Sequence, residues 1–288
     1  MEGELKREPE PEDDDDEDVD DDDVVVASSQ RASRAAPMRR PVLVIGERGT
    51  GKELIAERLH RLSTRWDEPL VVMNCAALPE TLIEAELFGH EAGAFTGATR
   101  VRAGRFEEAD KGTLFLDELG TLSMGAQERL LRAVEYGEVT RIGSSRPTRV
   151  DVRIVAATNE DLPAKAERGE FRADLLDRLT FEVITLPPLR VREGDIEVLA
   201  DYFGRRMAAE LGWEGWPGFA PHVAEQLEKY DWPGNVRELE NAIERVENLG
   251  IHHGVENSML AKLLNALSNL LAGNTTATLN LLDAFKNQ

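Results

Sequence analysis

Residues 46–52 read Gly-Glu-Arg-Gly-Thr-Gly-Lys and directly follow an apolar run, Val-Leu-Val-Ile, at 42–45. Glycines let a backbone curl so that its N–H groups point at phosphate oxygens, and the lysine adds a mobile positive charge. Apolar residues at helical spacing follow, so the motif has the strand–loop–helix context of a phosphate-binding loop rather than of an incidental glycine turn. The predicted phosphate-binding residues are Gly46, Glu47, Arg48, Gly49, Thr50, Gly51, Lys52 and Glu53.

Another apolar run, at 113–117, ends in Asp117 and is followed by Glu118, and these two carboxylates suggest what completes the site. Glu53 stands where many such loops carry the Ser or Thr that binds Mg²⁺, so the ion must rely on other groups and water. Neighbouring strand residues face opposite ways, so Asp117 and Glu118 are expected to have different roles. We assign Asp117 to Mg²⁺ and Glu118 to polarising the water that attacks the γ-phosphate of ATP.

Asn159 follows a third apolar run, at 152–158. An amide there could orient the attacking water from a neighbouring strand end. Asn after a strand is also an ordinary turn residue, and the sequence leaves both readings open.

The wider pattern predicts an α/β fold followed by helices. Five β-rich apolar runs alternate with helix-like stretches, which favours a mostly parallel sheet of five strands. The runs cover residues 42–46, 70–75, 113–117, 152–158 and 181–186. Helical spacing then continues at 195–211, 220–230 and 236–249, after the strands have stopped.

No apolar run is long enough to cross a bilayer as a helix, so we expect no membrane span. The same patterns divide the chain into five regions. The regions are an acidic disordered tail at 1–24, a basic linker at 25–40, a nucleotide-binding α/β domain at 41–187, a helical lid domain at 188–250 and leucine-rich C-terminal helices at 251–288.

Charge and cysteine content narrow the class of protein. The net charge is −21 over 288 residues, and residues 1–24 contribute −13 of it. Such a tail is usually solvated and disordered, although it could also dock a basic partner. The single cysteine, Cys75, excludes an internal disulfide framework and fits a reducing cytoplasm. The acidic start also lacks the order of a signal peptide.

Four segments carry a family resemblance. Residues 93–98 read Gly-Ala-Phe-Thr-Gly-Ala, which matches the GAFTGA signature of the sigma-54-dependent transcriptional activators. Residues 46–53, 171–179 and 232–239 also match the forms found in that family, and the resemblance spans roughly 41–247. It implies an AAA+ P-loop NTPase that hydrolyses ATP, assembles into a homo-oligomer, typically a hexamer, and remodels sigma-54 RNA polymerase.

The resemblance also implies roles for the 93–98 loop. Its small residues allow a flexible segment that exposes an aromatic side chain. Without the resemblance, a mobile loop with Phe95 turned into the core would be favoured. With it, the loop is the expected sigma-54 contact, made of Gly93, Ala94, Phe95, Thr96, Gly97 and Ala98.

Two arginines, Arg172 and Arg178, are placed by the resemblance at an edge between subunits. One or both would be a finger that reaches the neighbour's ATP. The alternative is local, because Asp174 and Arg178 have the i,i+4 spacing of a helical ion pair.

In the family, an arginine of the lid domain senses the bound nucleotide, and Arg237 matches that arginine. A cation in the first turn of a helix opposes the helix dipole, so a phosphate nearby would explain it. Asn235 and Glu238 have capping-box spacing at the start of that helix. Asn74 matches a family residue that pairs with the catalytic glutamate, here Glu118.

Both ends depart from the family. Residues 25–40 show no convincing version of the N-terminal helix and loop that help to bind adenine, which allows a non-hydrolysing docking regulator as the alternative function. After residue 250 the only Lys or Arg residues are Lys262 and Lys286, too little charge for a phosphate-contacting module, so direct DNA binding is not expected.

Overall fold

The computed structural model describes residues 22–210, 212, 215–216, 218–219 and 221–248. The predicted C-terminal helices at 251–288 and residues 1–21 of the predicted acidic tail lie outside the described residues. None of the helices in the described part combines the length and the hydropathy that crossing a bilayer requires.

Seven strands in the described residues form two sheets. They are β1 Val42–Ile45, β2 Leu70–Asn74, β3 Thr113–Asp117, β4 Glu138–Thr140, β5 Pro147–Arg149, β6 Arg153–Thr158 and β7 Glu182–Thr185. The main sheet is parallel and has the order β2-β3-β6-β1-β7, which confirms the five predicted runs and the α/β class. The β4–β5 hairpin was not predicted, because its strands have three residues each and β5 is fully exposed.

Helices cover both faces of the sheet and form the lid. They are α1 Asp22–Ala35, α2 Lys52–Arg61, α3 Glu80–Phe88, α4 Arg105–Glu108, α5 Met124–Tyr136, α6 Leu162–Glu167, α7 Ala173–Leu179, α8 Asp195–Glu210, α9 Pro221–Lys229 and α10 Asn235–Asn248. Strands buried on both faces read as continuous apolar runs. In β3, Leu114 and Leu116 accordingly contact the core on one face, and Phe115 contacts the core on the other.

The prediction of a linker at 25–40 is wrong, because α1 occupies most of that span. Ala32, Ala35 and Ala36 are buried in the same cluster as Val44 of β1. Arg153 of β6 fixes the end of the helix, since its guanidinium donates to the Ala36 and Ala35 carbonyls at 2.7 and 2.8 Å. The buried residues described in α1 and just after it are Ser28 and three alanines, which give no strong apolar periodicity.

The three predicted lid helices are confirmed as α8, α9 and α10. Their core is separate from that of the sheet and is built around Trp232, which is fully buried and donates from Nε1 to the Leu227 carbonyl at 2.8 Å. The limits given above for the domains, 41–187 and 188–250, stay predictions.

Candidate functional site

The phosphate loop follows β1 at the carboxyl edge of the parallel sheet, where such folds bind ligands. Gly49 and Gly51 have φ of 79° and 96°, the left-handed region that glycine adopts without strain. Lys52 begins α2 and is buried, and its Nζ donates to the Gly46 and Glu47 carbonyls at 2.8 and 3.0 Å. Lys52 therefore donates to carbonyls of its own loop, and a bound phosphate would compete with these carbonyls for its ammonium group.

Asp117 and Glu118 lie two strands away from the loop, at the end of β3. Glu118 has φ of 54° and is only 8% exposed. Its Oε1 accepts from Nε of Arg48, in the phosphate loop, at 3.0 Å. A positive φ strains the backbone of a residue other than glycine, and such strain is concentrated at functional sites. The backbone conformation of Glu118 therefore supports a functional role for its side chain.

The structure pairs Asn74 with Asp117 and not with Glu118, contrary to the expectation from the resemblance. Its Nδ2 lies 3.5 Å from Oδ2 of Asp117, and its Oδ1 accepts from the Ala76 amide at 2.8 Å. The cause is register, because Asn74 lies directly opposite Asp117 in the β2–β3 ladder. Arg48 of the phosphate loop donates to the Glu118 carboxylate instead.

The charges around Lys52 come from several elements. Burial lowers the pKa of Lys52, Asp117 and Glu118 raise it, and the positive charges of Arg237 and Arg48 lower it further. Cations from the loop, α2 and the lid thus converge with two carboxylates. A polyanion chelating a divalent cation is the ligand that would satisfy such a set.

Asn159 follows β6, which lies between β1 and β3, and it is exposed. The order of the strands places it between the phosphate loop and the carboxylates. This position suits a side chain that orients a water.

The lid contacts the phosphate loop directly. The Val236 amide donates to the Gly49 carbonyl at 3.0 Å, and Arg237 is exposed beside Gly49. The expected capping box is wrong, because the Asn235 side chain bonds outside its helix, to Glu47, and the Glu238 carboxylate accepts from the Gly234 amide at 2.7 Å.

Arg172 and Arg178 do not form the local pair that the sequence allowed. Asp174 is bound by Arg172, at 2.6 and 3.0 Å, whereas Arg178 donates to Glu135 of α5 at 2.9 Å. Both ion pairs lie largely in solvent, which makes them weak and easily exchanged. Either arginine could leave its partner for a phosphate.

The 93–98 loop presents Phe95, whose side chain is 38% exposed. Its ring meets the His90 ring edge-on, with 4.9 Å between the centroids, so it is not turned into the core. Gly93 and Gly97 have φ of 79° and 99°, and the Gly93 amide closes the loop on the Ala98 carbonyl at 2.7 Å. The glycines are needed here for backbone conformation.

Residues that the sequence analysis missed brace this loop. The Glu91 amide donates to the Ile142 carbonyl at 2.9 Å, in the turn that follows β4. Arg141 binds Glu107 through two bonds, of 2.6 and 2.8 Å, and Glu91 at 3.4 Å. The hydrogen bonds from Arg141 lower the pKa of Glu107. Single charged residues in surface turns carry no sequence signal that would have revealed this link.

A phosphate loop at the edge of a parallel sheet with order β2-β3-β6-β1-β7, followed by a helical lid, defines a P-loop NTPase of the AAA+ type. The family model described as the sigma-54 interaction domain matches residues 19–185, and one described as an AAA+ ATPase lid domain matches 190–272. The chain belongs to the family of sigma-54 interaction domain proteins.

Curated relatives agree with this assignment. The Psp operon transcriptional activator of Escherichia coli (strain K12) is 59% identical over 216 residues, covering 75% of this chain and 66% of that protein. The transcriptional regulatory protein ZraR of Salmonella typhimurium is 56% identical over 210 residues, covering 73% of this chain and 47% of that protein. The chain thus spans just under two thirds of the first relative's length and about half of the second's.

Among solved structures, NtrX from Brucella abortus is similar in its complexes with ADP and with ATP. Each comparison gives a TM-score of 0.75 and 31% sequence identity, and covers 82% of this chain and 52% of the NtrX chain.

Proposed function

We propose that this chain is an ATPase that couples hydrolysis to remodelling of the sigma-54 form of RNA polymerase, and that it acts as a ring-shaped homo-oligomer, a hexamer. The observation that carries the proposal is the meeting of the phosphate loop, Lys52 and the Asp117–Glu118 pair at one edge of the sheet. The similarity to NtrX, whose structures contain ADP and ATP, supports nucleotide binding.

In this proposal the phosphate loop wraps the phosphates, and Lys52 leaves the Gly46 and Glu47 carbonyls to bind them. Asp117, which Asn74 and the Glu118 amide orient, would hold Mg²⁺, and the ion would supply positive charge at the phosphates. Glu118 accepts a proton from the attacking water while the bond between the γ-phosphorus and the bridging oxygen breaks.

Assembly completes the site. Arg172 or Arg178 of a neighbouring subunit stabilises the charge of the transition state, which is worth about 10³–10⁵ in rate for a finger of this kind. Arg237 contacts the phosphates from the lid of the same subunit. Turnover consequently depends on the concentration of subunits.

The output of the motor is the 93–98 loop. Phe95 and Thr96 contact the sigma-54 subunit of the polymerase, and hydrolysis shifts the loop through the turn that holds Glu91. The protein acts in the cytoplasm, where its polymerase is, and this chain does not itself bind DNA.

The test is ATP turnover per subunit against protein concentration, with Glu118→Gln as the control, followed by capture of sigma-54 on the ATP-bound protein. A rate per subunit that rises with concentration and is lost in the variant supports the proposal. No turnover at any concentration by a folded protein overturns it.

The alternative, a non-hydrolysing regulator that docks on a sigma factor, depended on the apparent loss of the N-terminal helix. The presence of helix α1 in this region favours the ATPase. The same turnover experiment separates the two functions, because the alternative gives capture of sigma-54 without hydrolysis.

A further inference from the structure

We propose that Asn235 is a positioning residue that fixes the phosphate loop in its nucleotide-binding conformation and thereby couples the lid to nucleotide affinity, an inference that rests on the ATP site proposed above. Asn235 is the first residue of α10, in the lid, and it lies 188 positions along the chain from Glu47 in the loop. The two residues nevertheless share a hydrogen bond.

The environment of Asn235 uses its whole amide group. The residue is 0% exposed. Its Nδ2 donates to Oε2 of Glu47 and to the Arg48 carbonyl, both at 3.0 Å, and its Oδ1 accepts from the Leu189 amide at 2.7 Å. The two donors therefore bind the phosphate loop, while the acceptor binds the start of the lid.

The lid fixes the direction of three successive peptide groups of the loop. The carbonyls of Arg48, Gly49 and Thr50 accept from the Asn235 side chain, the Val236 amide and the Arg192 guanidinium, at 3.0, 3.0 and 2.9 Å. In a trans peptide the N–H points opposite to the C=O. The following amides, of residues 49–51, are thereby turned away from these lid groups.

Those three amides are the groups that a phosphate needs. Within the described ranges none of them donates to a protein acceptor. Free N–H groups converging in a loop form an anion-binding concavity. Asn235 supports that concavity from behind, without touching the ligand.

Glu47 strengthens the connection. Its carboxylate accepts two bonds from Arg190, at 2.7 and 3.0 Å, besides the one from Asn235. The backbones also meet, because a Cβ added to Gly49 would collide with the Gly234 carbonyl. The loop cannot change shape without moving the lid, so a residue at this junction affects both.

Two substitutions separate the contacts. Asn235→Asp keeps the acceptor for the Leu189 amide but loses both donors and places a second carboxylate beside Glu47. Asn235→Gly removes the side chain and tolerates the φ of 55° that the backbone has here. Asn241→Asp is the matched control, because Asn241 lies on the same helix and, among the described residues, its amide donates to the Arg237 carbonyl and not to the phosphate loop.

The experiment measures binding of a fluorescent ADP analogue to the full chain, together with thermal unfolding. We expect Asn235→Asp and Asn235→Gly to weaken ADP binding about tenfold or more, since hydrogen bonds to charged or structured partners are lost. Asn241→Asp should bind like the wild type. Adding Glu47→Gln to Asn235→Asp should restore part of the affinity, because the glutamine amide donates to the new carboxylate.

A second readout does not need nucleotide. Trypsin cleavage after Arg48, mapped by mass spectrometry, should be faster in both Asn235 variants than in Asn241→Asp. Folded Asn235 variants with wild-type ADP affinity and wild-type cleavage overturn the inference. Faster cleavage in the Asn235 variants, together with a wild type that binds no ADP, would instead leave the positioning role and reject the proposed ATP site.

Discussion

Arg48 and Glu118 form an ion pair that joins the phosphate loop to the proposed catalytic carboxylate, with Nε and Oε1 3.0 Å apart. The Glu118 side chain is mostly buried, whereas Arg48 is largely in solvent. The pair engages the carboxylate that polarises water in the proposed function. Binding of the phosphates, which attract Arg48, would release Glu118 for that work.

Glu118→Gln is expected to lower ATP turnover by about 10²–10⁴, because the amide cannot accept a proton. Nucleotide affinity should change little, since the glutamine oxygen still accepts from Arg48. Steady-state turnover and ADP binding, measured on the same preparation, check both halves. Glu160→Gln is the control, as Glu160 pairs with Lys165 at 2.7 Å outside the proposed machinery. Equal losses of turnover in the two variants would contradict the assignment.

Arg178→Ala should abolish turnover, and mixing it with Glu118→Gln should restore part of it. A subunit with an intact Glu118 would then receive its arginine from the other variant. The folded state should lose little, because the Arg178–Glu135 pair is exposed. Turnover is measured at fixed total protein while the ratio varies. A mixture of Lys52→Ala and Glu118→Gln should stay inactive, because in this proposal both residues act on the ATP bound to their own subunit and neither variant can supply the other's missing group. If the Arg178 mixture is equally inactive, the arginine does not act across subunits.

Phe95→Ala should abolish capture of sigma-54 and leave ATP turnover within about twofold of the wild type, as expected of an exposed residue far from the phosphates. Inside the protein the substitution removes the edge-on contact with the His90 ring. Phe181→Ala is matched, because Phe181 is also an exposed phenylalanine. Capture lost equally in both variants would argue against a specific role of the 93–98 loop.

Acid should weaken the junction between lid and loop through Glu47. Hydrogen bonds from Arg190 and then Asn235 lower its pKa from 4.5 to about 2. A carboxyl with a depressed folded-state pKa contributes stability above its unfolded pKa and loses it as the pH falls towards the folded value. The free energy of unfolding of Glu47→Gln should therefore be below that of the wild type at pH 7, and the gap should shrink between about pH 5 and pH 2. The group is half exposed, so solvent screening keeps the gap small.

Urea unfolding of both proteins across that pH range measures the gap. A gap that is constant with pH would show that the Glu47 carboxylate is not stabilised by Arg190 in solution.

Arg153→Met should lower the free energy of unfolding by about 1–3 kcal/mol, because buried carbonyls lose their donors. Arg153 is 2% exposed and binds the carbonyls of Ala35, Ala36 and Leu59, at the ends of α1 and α2. Burial lowers its pKa to about 10. Proteolysis within α1 should also become faster. Arg149→Met, on the exposed hairpin, is the control, and equal stability of the two variants would contradict the bracing role.

The main sheet and the phosphate loop could be predicted because their signals are local. A strand buried on both faces has to be a continuous apolar run, and the loop has to contain glycines where φ is positive. Helix α1 could not be predicted in the same way. Its described buried residues are small, and the carbonyls at its end are bound by Arg153, which lies more than a hundred positions further along the chain.

The sequence by itself determined the fold class, the phosphate loop that ends in Lys52 and the carboxylate pair Asp117 and Glu118. Each of these is recognised from residues that are close together in the chain. Only the tertiary structure decided which charges meet. In the folded protein Asn74 donates a hydrogen bond to Asp117, Arg48 donates to Glu118 and Asn235 donates to Glu47. The energy of an ion pair or hydrogen bond depends on distances of about 3 Å in space, and residues far apart in sequence reach such distances only when the core packs.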